Sequence, residues 1–375
     1  MKNLIYMIVA TALMGAVGCN KIPDHLRNDK FVPEDSAPAA NIEVMEGAWK
    51  IDTIVPGAVW KKFAGKDSDI TNNNQIVNLM EIDLSNPRFH VKFHYQDEDK
   101  LRATDQVFAS KREKEGAICA MNGAYEAASC YIRTNYKTWQ SISSNVIPDT
   151  KVRQWKCEAC ITSDGDRDVQ IIHKSPAENP LAKDEYVAQT RQAYDLMTDK
   201  ANLFSSAPML IDDYEPVGAE FVNRMIQCGH YGGSIGMGES GILRLDYENP
   251  IRHQGVTHPR AVVALTGEES TVGPNKLLLI IIDGRWTAAV GMTAEQVTRF
   301  IAHHFNPRYA INMDGGGSSC LCIRGRGEPS NNVVNYPTDN DTFDHLGIRS
   351  VNSHFYVTYD EPQDEVGGEG EEGNM

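Results

Sequence analysis

Residues 277–282 read Leu-Leu-Leu-Ile-Ile-Ile and stop at Asp283-Gly284. A run with no polar alternation cannot show a face to water. It has to be a strand inside a sheet that is covered on both sides. Residues 260–266 also read as a strand, and residues 267–275, with Gly273-Pro274, as the loop between the two. A helix is expected from Met292-Thr293. Thr293 and Gln296 have capping-box spacing, and Val297, Phe300, Ile301 and Phe305 make one apolar stripe that Pro307 ends. Residues 309–314 then alternate as a third strand and run into Gly315-Gly316-Gly317-Ser318-Ser319. A hairpin followed by a strand–helix–strand crossover brings three chain segments to one sheet edge. Arg260 starts the first strand there, and Asp283 and Asp314 end the other two. Asn312 and Asp314 share a face by period-two alternation. The expected class is α+β: a mixed β-sheet with packed helices, in which the C-terminal β-hairpin and the βαβ crossover form the site.

Charge narrows the partners. The 375 residues carry 36 Lys and Arg against 51 Asp and Glu, a formal −15. A field of that sign repels phosphate backbones, which excludes nucleic acid as a general partner. The apolar share of 41 % is that of a soluble globular protein and too low for a polytopic membrane protein. Residues 360–375 hold seven carboxylates and no Lys or Arg, and read as a disordered acidic tail.

The first 18 residues read as a signal peptide. Lys2 supplies the positive end, and the apolar stretch 4–14 is too short to remain in a bilayer. Ala16-Val17-Gly18-Cys19 resembles a bacterial lipoprotein cleavage site with Cys19 as the lipidated residue. A plain signal peptide cut near Gly18 is the alternative. Either form is exported, and the lipid anchor would be the sole membrane contact. Residues 19–45, with Pro23, Pro33 and Pro38, read as a tether. That leaves 46–359 as the folded domain, with the more polar 126–200 as an insertion or lid. Within it, Ser163-Asp164-Gly165 marks a hairpin and residues 184–199 a helix. Cys157-Glu158-Ala159-Cys160 has redox or half-zinc spacing. With no second pair nearby, a local disulfide or buried thiols fit better.

The converging edge suits an anionic ligand. Arg260, the helix N-terminus at Thr293 and the amides of Gly315, Gly316, Gly317 and Ser318 can hold phosphate oxygens. The carboxylates remain for chemistry or for sugar hydroxyls. Three consecutive glycines cost backbone entropy and mark a close approach by a ligand or another segment. Ser318 lacks a G-x-S-x-G elbow, and no GK[ST] follows the glycines. His258 is either a base or an ordinary loop residue.

These residues resemble the bacterial phosphodiester glycosidase family. The resemblance rests on His258-Pro259-Arg260, Asp283-Gly284-Arg285, Gly291-Met292-Thr293 with Glu295, and Asn312 through Ser319. Val334-Asn335-Tyr336-Pro337, Arg349-Ser350-Val351-Asn352 and the earlier Met121-Asn122-Gly123-Ala124-Tyr125 extend it. It covers about residues 50–358 and departs at Ala124, Glu126 and Ala264. It implies cleavage of a glycosidic bond to phosphate, with a sugar-phosphate or glycan as substrate. A phosphate leaving group needs charge stabilisation more than protonation. Asp283 and Asp314, then Glu295, are the candidate catalytic carboxylates. Arg260, Arg285, Asn122, Gly123, Thr293, Asn312, Gly315, Gly316, Gly317, Ser318, Ser319 and Asn335 are the candidate substrate ligands. The sequence requires no cofactor and leaves a divalent metal open. A non-catalytic envelope lipoprotein that binds anionic glycans is the competing reading. A serine hydrolase using Ser318 or Ser319 with His258 is a third.

Overall fold

The computed structural model describes residues 49–96, 102–125, 130–142, 154–166, 168–173, 183–227, 234–237, 243–245, 249–267 and 275–362. The signal peptide, Cys19, the tether, Glu126, Cys228 and the tail beyond residue 362 lie outside them.

Seven strands form the main sheet. Its order is β1 (Trp49–Val55), β2 (Ala58–Asp67), β3 (Thr71–Asp83), β16 (Lys276–Ile282), β15 (Arg260–Leu265), β17 (Tyr309–Asn312) and β12 (Met209–Asp212). The apolar run is β16. It lies between β3 and β15, and every residue from Leu277 to Ile282 is buried. A four-stranded sheet covers one face, in the order β18 (Leu321–Ile323), β6 (Ala117–Asn122), β20 (Ser353–Tyr359) and β4 (Phe89–Tyr95). A five-stranded sheet adds to that core, in the order β10 (Asp168–His173), β9 (Ala159–Asp164), β11 (Asn202–Ser206), β7 (Ile132–Thr134) and β8 (Lys137–Gln140). Two small ribbons pair β5 (Arg102–Ala103) with β19 (Ser350–Val351), and β13 (Ser234–Met237) with β14 (Leu243–Leu245). The helices are α1 (Thr104–Glu115), α2 (Lys183–Asp195), α3 (Phe221–Gln227), α4 (Pro250–Gly255) and α5 (Ala294–Phe305).

The second face of the main sheet belongs to α5. Val297, Phe300 and Ile301 are fully buried against Leu278, Ile280 and Ile282. Each such side chain contributes about 2 kcal/mol by leaving water. The Thr293–Gln296 capping box forms in both directions, at 3.2 and 3.0 Å, and Asn306 ends the helix in a left-handed turn. Truncating Phe300 to Ala would cost about 3–5 kcal/mol.

The α+β class stands, but the mixed sheet does not. Every strand pairing among the described residues is antiparallel. The crossover from β16 through α5 to β17 does run both strands the same way. The hairpin partner β15 lies between them and pairs with each. Two strands that never touch cannot form a parallel ladder. The hairpin at 163–165 forms as expected. Helix α2 stops at Asp195, four residues before the expected end. The six described cysteines are buried thiols, so Cys157 and Cys160 form no disulfide.

Candidate functional site

Residues from both sheets meet at one end of the sandwich, around the start of β15. Arg260 pairs with Ile282, and the ladder continues from Met313 to Ala261. Asp283 and Asp314 therefore flank Arg260 at the same edge, about 10 Å apart at the backbone, or two strand spacings. Two Asp-Gly turns grip Pro259 between them. A Cβ at Gly284 would lie 2.4 Å from the Pro259 nitrogen, and one at Gly315 would lie 2.7 Å from its carbonyl oxygen. Gly316 donates its N–H to that carbonyl at 2.8 Å. Its φ of +61° is a conformation a β-branched residue resists.

The pleat separates the two carboxylates. Ala261 and Val263, with Leu279 and Ile281, face the core between the sheets, while Val262, Ile280 and Ile282 face α5. By that alternation Asp283 continues the inter-sheet face. Arg260, Asn312 and Asp314 continue the helix face. The shared edge holds, but β15 stands between the two aspartates and their strands deliver them to opposite sides of the sheet.

On the inter-sheet side, Asp283 is 1 % exposed. Its Oδ1 accepts from Asn335 Nδ2 at 3.1 Å and from the Tyr336 N–H at 2.9 Å. Its Oδ2 is buried without a partner, as is Ser319 Oγ. Burial pushes the carboxyl up to about 7, and the Tyr336 and Asn335 hydrogen bonds and the Lys62 ammonium oppose that rise. Asp314 is not among the causes, so joint ionisation of a carboxylate pair is not what shifts Asp283.

On the helix side the field is positive. Burial, then the charges of Arg260, Arg285 and Arg252, hold His258 well below the ordinary imidazole value. Burial, then Lys156 and Arg260, does the same to His253. Lys156 comes from the stretch marked as an insertion or lid, and its Nζ sits 4.3 Å from the Tyr125 ring centre. The Tyr125 hydroxyl accepts from Asn312 at 2.9 Å and Gln254 at 3.2 Å.

Several sequence candidates turn out to build the site's frame. Arg260 is 1 % exposed. It donates from Nε to the Met292 carbonyl at 2.9 Å, from Nη1 to Gln254 at 2.8 Å, and from Nη2 to the His253 and Val256 carbonyls. It staples α4 to the start of α5. Asn122 spends its amide on the Asp314 carbonyl at 2.6 Å and the Cys320 N–H at 3.1 Å, pinning the glycine turn to β6. Gly123 packs beside Ser353, and Asn335 also accepts from the Leu321 N–H. Thr293 is taken up as the helix cap. Glu295 lies on the solvent side of α5, paired with Arg299 at 2.7 Å and 40 % exposed, so geometry gives it no place beside the aspartates. Within the turn, Ser318 and Ser319 donate backward to Gly315 and Gly316. Gly317 is buried against the bidentate Arg349–Asp339 pair.

Arg285 is the exception. Its backbone is left-handed, with φ of 68°, which turns it out of the strand end. It is half-buried, with Nη1 on Thr338 at 3.1 Å, and Nη2 would lie 3.1 Å from a Cβ at Gly316. It spans the middle of the edge, over the glycine turn. Sequence reading missed Lys62, Lys156 and Asp339, which lie far in sequence from the motifs and carry no local signal.

A family profile described as phosphodiester glycosidase matches residues 115–358. Among solved structures, the catalytic domain of zebrafish N-acetylglucosamine-1-phosphodiester alpha-N-acetylglucosaminidase, auto-inhibited by its pro-peptide, is similar with a TM-score of 0.53. Identity is 16 %, over 84 % of this chain and 88 % of that one. A Synechocystis protein reaches 0.48 at 11 % identity, over 87 % and 64 %. A Burkholderia pseudomallei protein reaches 0.49 at 11 % identity, over 76 % and 74 %. At 16 % identity the likeness to the zebrafish domain is one of fold. No curated protein matches the chain.

Proposed function

This chain belongs to the phosphodiester glycosidase family, and from that premise we propose that it hydrolyses the glycosidic bond between a sugar and a phosphodiester. The observation that carries the reading is Arg285, turned out by its left-handed backbone and held over Gly316 between the two Asp-Gly turns. Its guanidinium and the N–H of Gly315 hold the phosphate, because among the described residues no carbonyl takes that amide. The positive helix side stabilises the charge that builds on the leaving phosphate. Asp283, poised near neutrality, supplies the electron pair that the anomeric carbon needs, directly or through a water. Asp314 steadies the positive charge on the sugar ring from the opposite side.

The leader supports an exported lipoprotein anchored through Cys19. Fatty-acid labelling that persists in Cys19→Ala would refute the anchor.

A panel of glycosyl phosphodiesters, assayed with and without chelator, tests the activity. The expected products are free reducing sugar and a phosphate monoester, and the chelator arm decides whether a metal takes part. If no member turns over, the glycan-binding reading replaces this one.

A further inference from the structure

Lys62 enters the site from β2, outside the residues that the family profile matches. Ala58 and Trp60 pack into the core between the sheets, while Phe63 faces α5. Lys62 therefore emerges on the inter-sheet face, the side of Asp283. The register supports this: Lys62 pairs with Asn78, and Asn78 pairs with Ile281, two residues before Asp283. The Lys62 Nζ lies 5.6 Å from the centre of the Tyr336 ring, and the N–H of that same residue holds Asp283. Phe343 and His345 stack on Tyr336 at 4.1 and 4.4 Å and hold that ring in place.

Neighbouring lysines show what an ordinary surface position looks like. Lys61, next in the strand, pairs with Glu81 at 2.7 Å. Among the described residues no acid pairs with Lys62, although it is half-buried. Burial lowers its ammonium below the usual lysine value, and the Asp283 charge opposes that. A half-buried ammonium and a carboxyl with a bare Oδ2 thus share one face without closing into an ion pair. A group that offers an anionic oxygen to the lysine and an electrophilic centre to the aspartate fills that gap. A phosphate attached to an anomeric carbon is such a group.

We propose that Lys62 is a second phosphate-binding cation of this site, holding one non-bridging oxygen on the Asp283 side while Arg285 holds another from above. The proposal rests on the phosphodiester reading and extends it to a residue outside the family-matched region.

Inorganic phosphate titrated into the full chain, followed by phosphorus NMR, tests the contact without needing turnover. Lys62→Met should weaken phosphate binding by about 10-fold, the scale of one charged contact. Lys62→Arg should stay within about 3-fold, and Lys61→Met should change nothing. Where the methionine variant fails to melt cooperatively, Lys62→Gln takes its place. Wild-type affinity in the folded variant overturns the proposal, and so does a wild-type protein that binds no phosphate. Kinetics on a sugar phosphodiester separates free phosphate from substrate phosphate: KM should rise in Lys62→Met if the substrate is held there. Phosphate binding that depends on Lys62, in a protein that turns over no sugar phosphodiester, keeps the phosphate site and refutes the glycosidase.

Discussion

Asp283 and Asp314 each end a strand, each precedes a glycine, and each glycine packs on Pro259. Their surroundings differ all the same. Asp283 lies on the face between the sheets, buried, half hydrogen-bonded and raised to about 7. Asp314 lies on the helix face, partly open, in a region where burial, then the charges of nearby arginines and Lys156, hold two histidines well below the ordinary imidazole value. The dipeptide is the same and the strand parity is opposite, so the two carboxyls meet different surroundings. Parity, fixed by one strand interposed between two others, does what a change of residue type would otherwise have to do.

The largest effects come from removing either acid. Asp283→Asn and Asp314→Asn should each lower kcat by at least ~100-fold, the scale of losing an acid–base or nucleophilic group. The residual rates sharpen the comparison. Activity left in Asp314→Asn should still rise with pH through about 7, the value set by burial of Asp283. In Asp283→Asn that rise should vanish. A rise that survives in Asp283→Asn would move the working titration to another group.

Two arginines give the next contrast. Arg285→Lys loses the planar fork and should lower kcat/KM by about 10- to 100-fold with an unchanged melting temperature. Arg260→Lys leaves several buried carbonyls without their donors and should cost about 2–3 kcal/mol of stability. The reverse pattern, with Arg260→Lys inactive but fully stable, would return the phosphate to Arg260.

The smallest effect is in stability. Asp283 titrates near 3.8 when unfolded and near 7 when folded. The folded state therefore binds the extra proton, and its stability falls as pH rises between those values. Asp283→Asn should remove that slope. It should melt close to wild type at pH 4 and about 3–5 °C higher at pH 8, a gain kept modest by water entering as the carboxylate ionises. Equal melting at pH 8 would mean that Asp283 is not raised.

How much of this the sequence showed depends on range. The apolar run gave β16, the Thr293–Gln296 spacing gave the start of α5, and the glycines marked the close approach to Pro259. Those signals are local and survive folding unchanged. The shared edge of Arg260, Asp283 and Asp314 also followed, because hairpin and crossover handedness constrain it. Which side each acid faces did not follow, since that needs the order β16-β15-β17. Nor did the commitment of Arg260 and Asn122 to backbone partners on α4, α5 and the glycine turn, which only the folded loops reveal. Lys62 and Lys156 reach the site from strands and turns that look ordinary in sequence.

The central claim is that the bond broken is the one between the anomeric carbon and the phosphate oxygen. Hydrolysis in heavy-oxygen water, followed by mass analysis of both products, tests it directly. The account predicts that the label appears on the anomeric carbon of the released sugar and is absent from the phosphate. Label on phosphorus would mean that the phosphate ester is cleaved instead, with Asp283 and Asp314 serving a different reaction.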